Sequence, residues 1–219
     1  MVKEHPEQLV YVPVDSIKLE GALGLPAEAQ GVVLFAHGSG SSRHSPRNNF
    51  VAKVLRSGNL GTLLIDLLTE EEDETYQTRF DIELLTRRLA GATKWLMQQP
   101  QTKGLGIGYF GASTGSAAAL EAAASLGQAI AAVVSRGGRP DLALSSLARV
   151  QAPTLLIVGG LDHVVIQLNQ KAYDQLKAEK QLVIIPGATH LFEEPGTLEK
   201  VAQLASQWFQ RHLHSRSAA

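Results

Sequence analysis

The sequence predicts a doubly wound, mostly parallel α/β sheet that begins with an antiparallel hairpin. Three observations lead there. Short runs of β-branched residues and leucine recur along the chain, each bounded by Gly, Pro, Asp or Ser. Stretches with apolar residues at helical spacing lie between them. The first two apolar runs differ from the rest in alternating between apolar and polar residues.

The buried strands are expected at residues 32–36, 62–67, 105–110, 131–134, 154–158 and 182–185. Continuous apolar runs of this kind suit strands covered on both faces of a parallel sheet. Helical spacing is clearest in Phe50, Val51, Val54 and Leu55, then in Ile82, Leu85 and Leu89, and again in Val201, Leu204 and Trp208. Residues 9–14 and 17–25 flank Asp15-Ser16 and read as a hairpin at the sheet edge. With 219 residues and no compositional break, residues 1–219 are expected to form a single domain.

Composition narrows the function classes. The formal net charge is −1, from 20 basic and 21 acidic residues, which gives no electrostatic reason to expect a nucleic acid or membrane partner. There is no cysteine, so disulfides, thiolate metal sites and a cysteine nucleophile are excluded. The first residues have no basic start followed by an apolar stretch, and no run approaches the ~18 apolar residues of a membrane span. A soluble, cytoplasmic protein is expected. No metal is expected either: His212 and His214 lie in a polar tail expected to fray, and His5, His44 and His163 have no partners at ligand spacing.

The most informative stretch is Gly111-Ala112-Ser113-Thr114-Gly115, between an expected strand and an alanine-rich helix. A serine at the tip of a sharp strand-to-helix turn presents its hydroxyl clear of the sheet, and glycines two positions either side prevent collision. A serine hydroxyl needs a base. His190 follows the expected strand 182–185, and Asp162 follows 154–158. All three therefore fall at the same edge of the sheet, where ligands bind in open α/β sheets. The expected roles are nucleophile for Ser113, base for His190 and orienting acid for Asp162. Asp141 competes as the acid, but behind Pro140 it reads as a helix cap. A fourth element, His37-Gly38-Ser39-Gly40, follows the strand 32–36, and the N–H groups of Ser39 and Thr114 are the expected oxyanion donors. His37 reads as a structural residue of that loop.

These motifs resemble the α/β-hydrolase superfamily, and within it the small dienelactone-hydrolase-like and carboxylesterase branch. Dienelactone hydrolases proper carry a cysteine nucleophile where this chain has Ser113. The resemblance implies hydrolysis of carboxylic esters through an acyl-serine intermediate, without a cofactor. Many relatives insert a cap between the sixth and seventh core strands. Here residues 135–153 hold only one short helical stretch, so an open site for small or accessible acyl groups is expected. The expected partner is a small-molecule ester. The oligomeric state stays open, a homodimer included.

Other readings share these residues. A thioesterase or a peptidase would use the same three groups, and a binding module on the same fold would use none. Arg136, at a strand end, reads either as a paired structural residue or, with Arg43, as an anchor for a substrate carboxylate or phosphate. The run Glu70-Glu71-Glu72-Asp73-Glu74 reads as a solvated loop.

Overall fold

The computed structural model describes residues 7–213. Eight strands form one sheet: β1 (Glu7–Val14), β2 (Ile17–Gly24), β3 (Gly31–Ala36), β4 (Gly61–Ile65), β5 (Gly106–Ala112), β6 (Ala132–Arg136), β7 (Thr154–Gly159) and β8 (Lys180–Ile185). Their order is β1-β2-β4-β3-β5-β6-β7-β8. β1 and β2 pair antiparallel around Asp15, which takes a left-handed conformation (φ 53°). β2 joins β4 antiparallel, and every pair from β4 to β8 is parallel.

The helices are α1 (Pro46–Ser57), α2 (Glu70–Glu74), α3 (Ile82–Gln98), α4 (Thr114–Leu126), α5 (Leu144–Leu147), α6 (His163–Gln175) and α7 (Thr197–His212). They cover both faces. Leu85, Leu89 and Leu96 of α3, the alanines of α4 and Ala172 of α6 pack with Val32, Leu34, Tyr109 and Val133 of the sheet. On the other face, Val51 and Leu55 of α1 and Val201, Ala205 and Phe209 of α7 pack with Val33, Phe35, Phe110 and Val134. The alternation along each strand thus feeds two cores, and each fully buried leucine contributes about 1.5–3 kcal/mol. Tyr109 and Thr93 share a buried hydrogen bond of 2.6 Å, and burial holds the phenol well above its ordinary pKa.

Two expectations are corrected. The acidic run is the helix α2, with a capping box in which Thr69 Oγ1 accepts from Glu72 N–H and Glu72 accepts from Thr69 N–H. Two of its carboxylates are engaged, Glu72 by Arg88 at 2.8 Å and Asp73 by Arg79 at 3.1 Å. Asp141 lies inside a 3₁₀ turn (Pro140–Ala143) and caps nothing; a two-pronged bond to Arg139, both distances 2.8 Å, holds it. Of the tail, residues through His212 belong to α7, and His214 lies outside the described residues, as does His5. Among the described residues no helix is long and apolar enough to cross a membrane.

Candidate active site

Ser113 stands between β5 and α4 at φ 51°, ψ −122°, a conformation that L-residues adopt only under constraint. The constraint comes from both sides. Ser113 N–H donates to Arg136 C=O at 3.3 Å, and Ser113 C=O accepts from Arg139 N–H at 3.0 Å. The flanking glycines are required by close approach. A Cβ on Gly115 would stand 2.1 Å from Ala36 O, and one on Gly111 would stand 2.5 Å from Ser116 Cα. The turn is therefore pressed against the C-terminal end of β3, and α4 begins directly behind it.

Asp162 and His190 meet. His190 Nδ1 lies 2.6 Å from Asp162 Oδ2. Asp162 occupies the N-cap position of α6, yet its side chain makes no capping bond. A carboxylate there would ordinarily accept from the helix N–H groups; this one is turned to the imidazole instead. The two loops are also fastened together, since Leu161 N–H donates to Ala188 C=O at 2.9 Å and Gly160 N–H to Ile185 C=O at 2.8 Å. The His190 loop has its own clamp. Glu194 accepts from Thr189 N–H at 3.0 Å and from Thr189 Oγ1 at 2.7 Å. The Thr189 hydroxyl and then its N–H hold the Glu194 carboxyl below its usual range. Gly137 borders the His190 loop: a Cβ there would lie 3.1 Å from His190 O and 3.5 Å from His190 Cε1.

The loop after β3 reaches the nucleophile. A Cβ on Gly38 would stand 3.0 Å from Ser113 Cβ, so this glycine permits the contact. Ser39 N–H donates to Thr114 Oγ1 at 3.0 Å. The two expected oxyanion residues are thus joined to each other, and the Thr114 hydroxyl occupies the donor that an oxyanion would share. His37 is buried and its Nδ1 donates to Gly38 C=O at 3.0 Å. Arg43 N–H donates to Asp66 at 2.6 Å, and the Arg43 guanidinium pairs with both Asp66 and Glu20. Arg43 therefore pins the loop, and its charge is balanced inside the fold.

Arg136 is the last residue of β6 and is 5% exposed. Its neighbour across the helix layer is Arg47 on α1, a residue that sequence reasoning missed. Burial and then the like charge of Arg47 lower the Arg136 pKa to about 10. No periodicity or motif marks Arg47; it comes there with the first turn of α1, whose Asn48 Oδ1 accepts from Arg136 Nη2 at 3.2 Å.

Residues 20–214 match the family described as the dienelactone hydrolase family. A solved structure of a dienelactone hydrolase from Anabaena variabilis ATCC 29413 is 60% identical, spans 96% of this chain and 100% of that one, and superposes with a TM-score of 0.94. Est1E from Butyrivibrio proteoclasticus shares the fold at 17% identity, covering 93% of this chain and 98% of its own, with a TM-score of 0.80. A curated protein of Mycobacterium tuberculosis H37Rv, provisionally named a phosphoribosyl transferase, is 56% identical over 207 residues, 94% of this chain. The chain spans about half, 47%, of that relative's length.

Proposed function

Since the chain belongs to the dienelactone hydrolase family, we propose that it is a serine hydrolase cleaving carboxylic esters of small or accessible acyl groups. The observation that carries this reading is the 2.6 Å bond between His190 Nδ1 and Asp162 Oδ2, made by a carboxylate that forgoes capping α6. That bond fixes the imidazole tautomer with its proton on Nδ1 and leaves Nε2 as the base.

In the proposed cycle Ser113 Oγ attacks the ester carbonyl while His190 Nε2 takes its proton. The tetrahedral oxyanion is held by Thr114 N–H and by Ser39 N–H, which must release or share the Thr114 hydroxyl it binds at 3.0 Å. His190 then protonates the departing alcohol, leaving an acyl-serine. Water, deprotonated by His190, attacks the acyl carbon; the carboxylic acid leaves and the proton returns to Ser113. The short β6–β7 connection supports small or accessible acyl groups, since it holds only the Pro140–Ala143 turn and the four residues of α5. The transferase name of the curated relatives belongs to proteins about twice as long. The hydrolase reading is preferred because the family match covers residues 20–214 of this chain.

A fluorophosphonate probe is expected to label the protein once, with the adduct mapped by mass spectrometry to Ser113. Folded protein that resists the probe and leaves p-nitrophenyl acetate and butyrate intact would overturn the reading in favour of a binding module. A parallel set of thioester and amide substrates separates an esterase from a thioesterase or a peptidase built on the same three groups.

The Glu194 clamp gives a pH prediction. Its folded pKa is depressed, so its contribution is complete above the ordinary carboxylate range and is lost as pH falls through the folded value. Glu194→Ala is expected to lower kcat roughly tenfold by loosening His190. Glu194→Gln, whose amide oxygen can still accept, is expected to recover most of that. Steady-state kinetics on p-nitrophenyl acetate would decide it, and an alanine variant as fast as the parent would remove the clamp from the account.

A further inference from the structure

The side chain of Arg136 enters the layer between the sheet and α1, on the same strand face as Val134 and Ala132. Its Nη2 donates to Asn48 Oδ1 at 3.2 Å, while its Nε is buried without an acceptor. Among the described residues it forms no ion pair. Its guanidinium carbon stands 5.9 Å from the centre of the Phe192 ring, two residues beyond His190. Arg47 has the same deficit. Among the described residues its Nε is buried without an acceptor, and its Nη1 pairs with Glu193, a carboxylate 62% exposed to water, at 3.0 Å.

Position adds to the imbalance. Arg47 and Asn48 lie in the first turn of α1, which holds no acidic residue. A helix N-terminus is a partial positive charge and disfavours cations. Two guanidiniums and a helix end therefore face one solvated carboxylate. A buried cation without an anionic partner is costly, and an orphaned guanidinium N–H close to Phe192 of the His190 loop points to an acceptor brought by a ligand. A doubly charged group matches this surplus better than a single carboxylate, and guanidinium forks suit phosphate oxygens. The place is the catalytic edge: Arg136 C=O accepts from Ser113 N–H, and Gly137 abuts His190.

We propose that Arg136 and Arg47 form a subsite for a phosphate group carried by the substrate, at the His190 loop and at the strand end whose backbone holds Ser113. The substrate class is then a phosphorylated ester. The word substrate rests on the serine-hydrolase reading, whereas the anion binding does not. Arg43, the partner expected from sequence, is replaced in this role by Arg47 because Asp66 and Glu20 already neutralise Arg43.

The test is isothermal titration of the full chain with inorganic phosphate at mildly alkaline pH and constant ionic strength, with acetate as comparison. One saturable site is expected, with acetate at least about tenfold weaker and with affinity for phosphate falling about tenfold or more in Arg47→Ala. Arg47 is one-third exposed, so its replacement is expected to leave the fold intact. Phosphate is also expected to slow fluorophosphonate labelling of Ser113 in proportion to occupancy. Absence of saturable binding, equal affinity for acetate, an Arg47→Ala variant that binds as well, or labelling indifferent to bound phosphate would each overturn the proposal. Normal labelling without phosphate binding removes the subsite and keeps the hydrolase. Phosphate binding lost in Arg47→Ala, in a protein that no probe labels, keeps the anion site and removes the hydrolase.

Discussion

Asp162→Asn is expected to lower kcat/KM for p-nitrophenyl acetate by about 10⁴-fold, a smaller loss than the roughly 10⁶-fold expected for Ser113→Ala. The reason is tautomeric. The carboxylate only accepts, so it holds the proton on His190 Nδ1 at the observed 2.6 Å separation. An asparagine can turn its NH₂ to Nδ1, which moves the proton to Nε2 and removes the base. Stability is expected to change little, because the Asp162 side chain makes no bond to the N-terminus of α6. Kinetics and thermal melting on the same preparations separate the cases. An Asp162→Asn variant that melts early but turns over normally when folded would show a structural residue. Fluorophosphonate labelling should track turnover in both variants, since it depends on the same activated hydroxyl.

Gly115→Ala is expected to have the largest effect on folding, destabilising the protein by about 3 kcal/mol or more. The added methyl would lie 2.1 Å from Ala36 O and 2.6 Å from His37 O. Both are backbone atoms of β3 and the loop behind it, so no side chain can swing away. Relief would require α4 to withdraw from the sheet, and with it the Thr114 N–H and the turn that holds Ser113 at positive φ. Chemical denaturation measures the first effect, and labelling of the residual folded protein measures the second. Gly104→Ala makes a control for the added methyl: that site is open within 4 Å, although its φ of 88° adds a local cost. A Gly115→Ala protein as stable as that control would contradict the close approach.

Much of the fold was legible because strand and helix periodicity are local properties. The six apolar runs and the hairpin all became strands, with ends shifted by a residue or two, but β8 is not covered on both faces: it forms the sheet edge, and Ile184 is exposed. β6 runs on to Arg136 because its ladder with β7 continues past the apolar run, with Arg136 opposite Ile157. In the acidic stretch, charge density alone suggests a solvated loop, whereas the decisive feature is the cap formed by Thr69 with Glu72. Asp141 was misplaced because Arg139, two residues before it, captures its carboxylate.

By itself the sequence determined the order of elements and placed Ser113, Asp162 and His190 each just past a strand end, since motif spacing along one chain encodes which edge a loop occupies. Only the tertiary structure decided how side chains divide among partners. It turned Asp162 from α6 to His190, joined Ser39 to Thr114, bound Arg43 to Asp66 and Glu20, and brought the first turn of α1 to Arg136 through Asn48. Those choices depend on residues far apart in the chain competing for the same buried donors and acceptors, and that competition exists only once α1 and the loops have packed on the sheet.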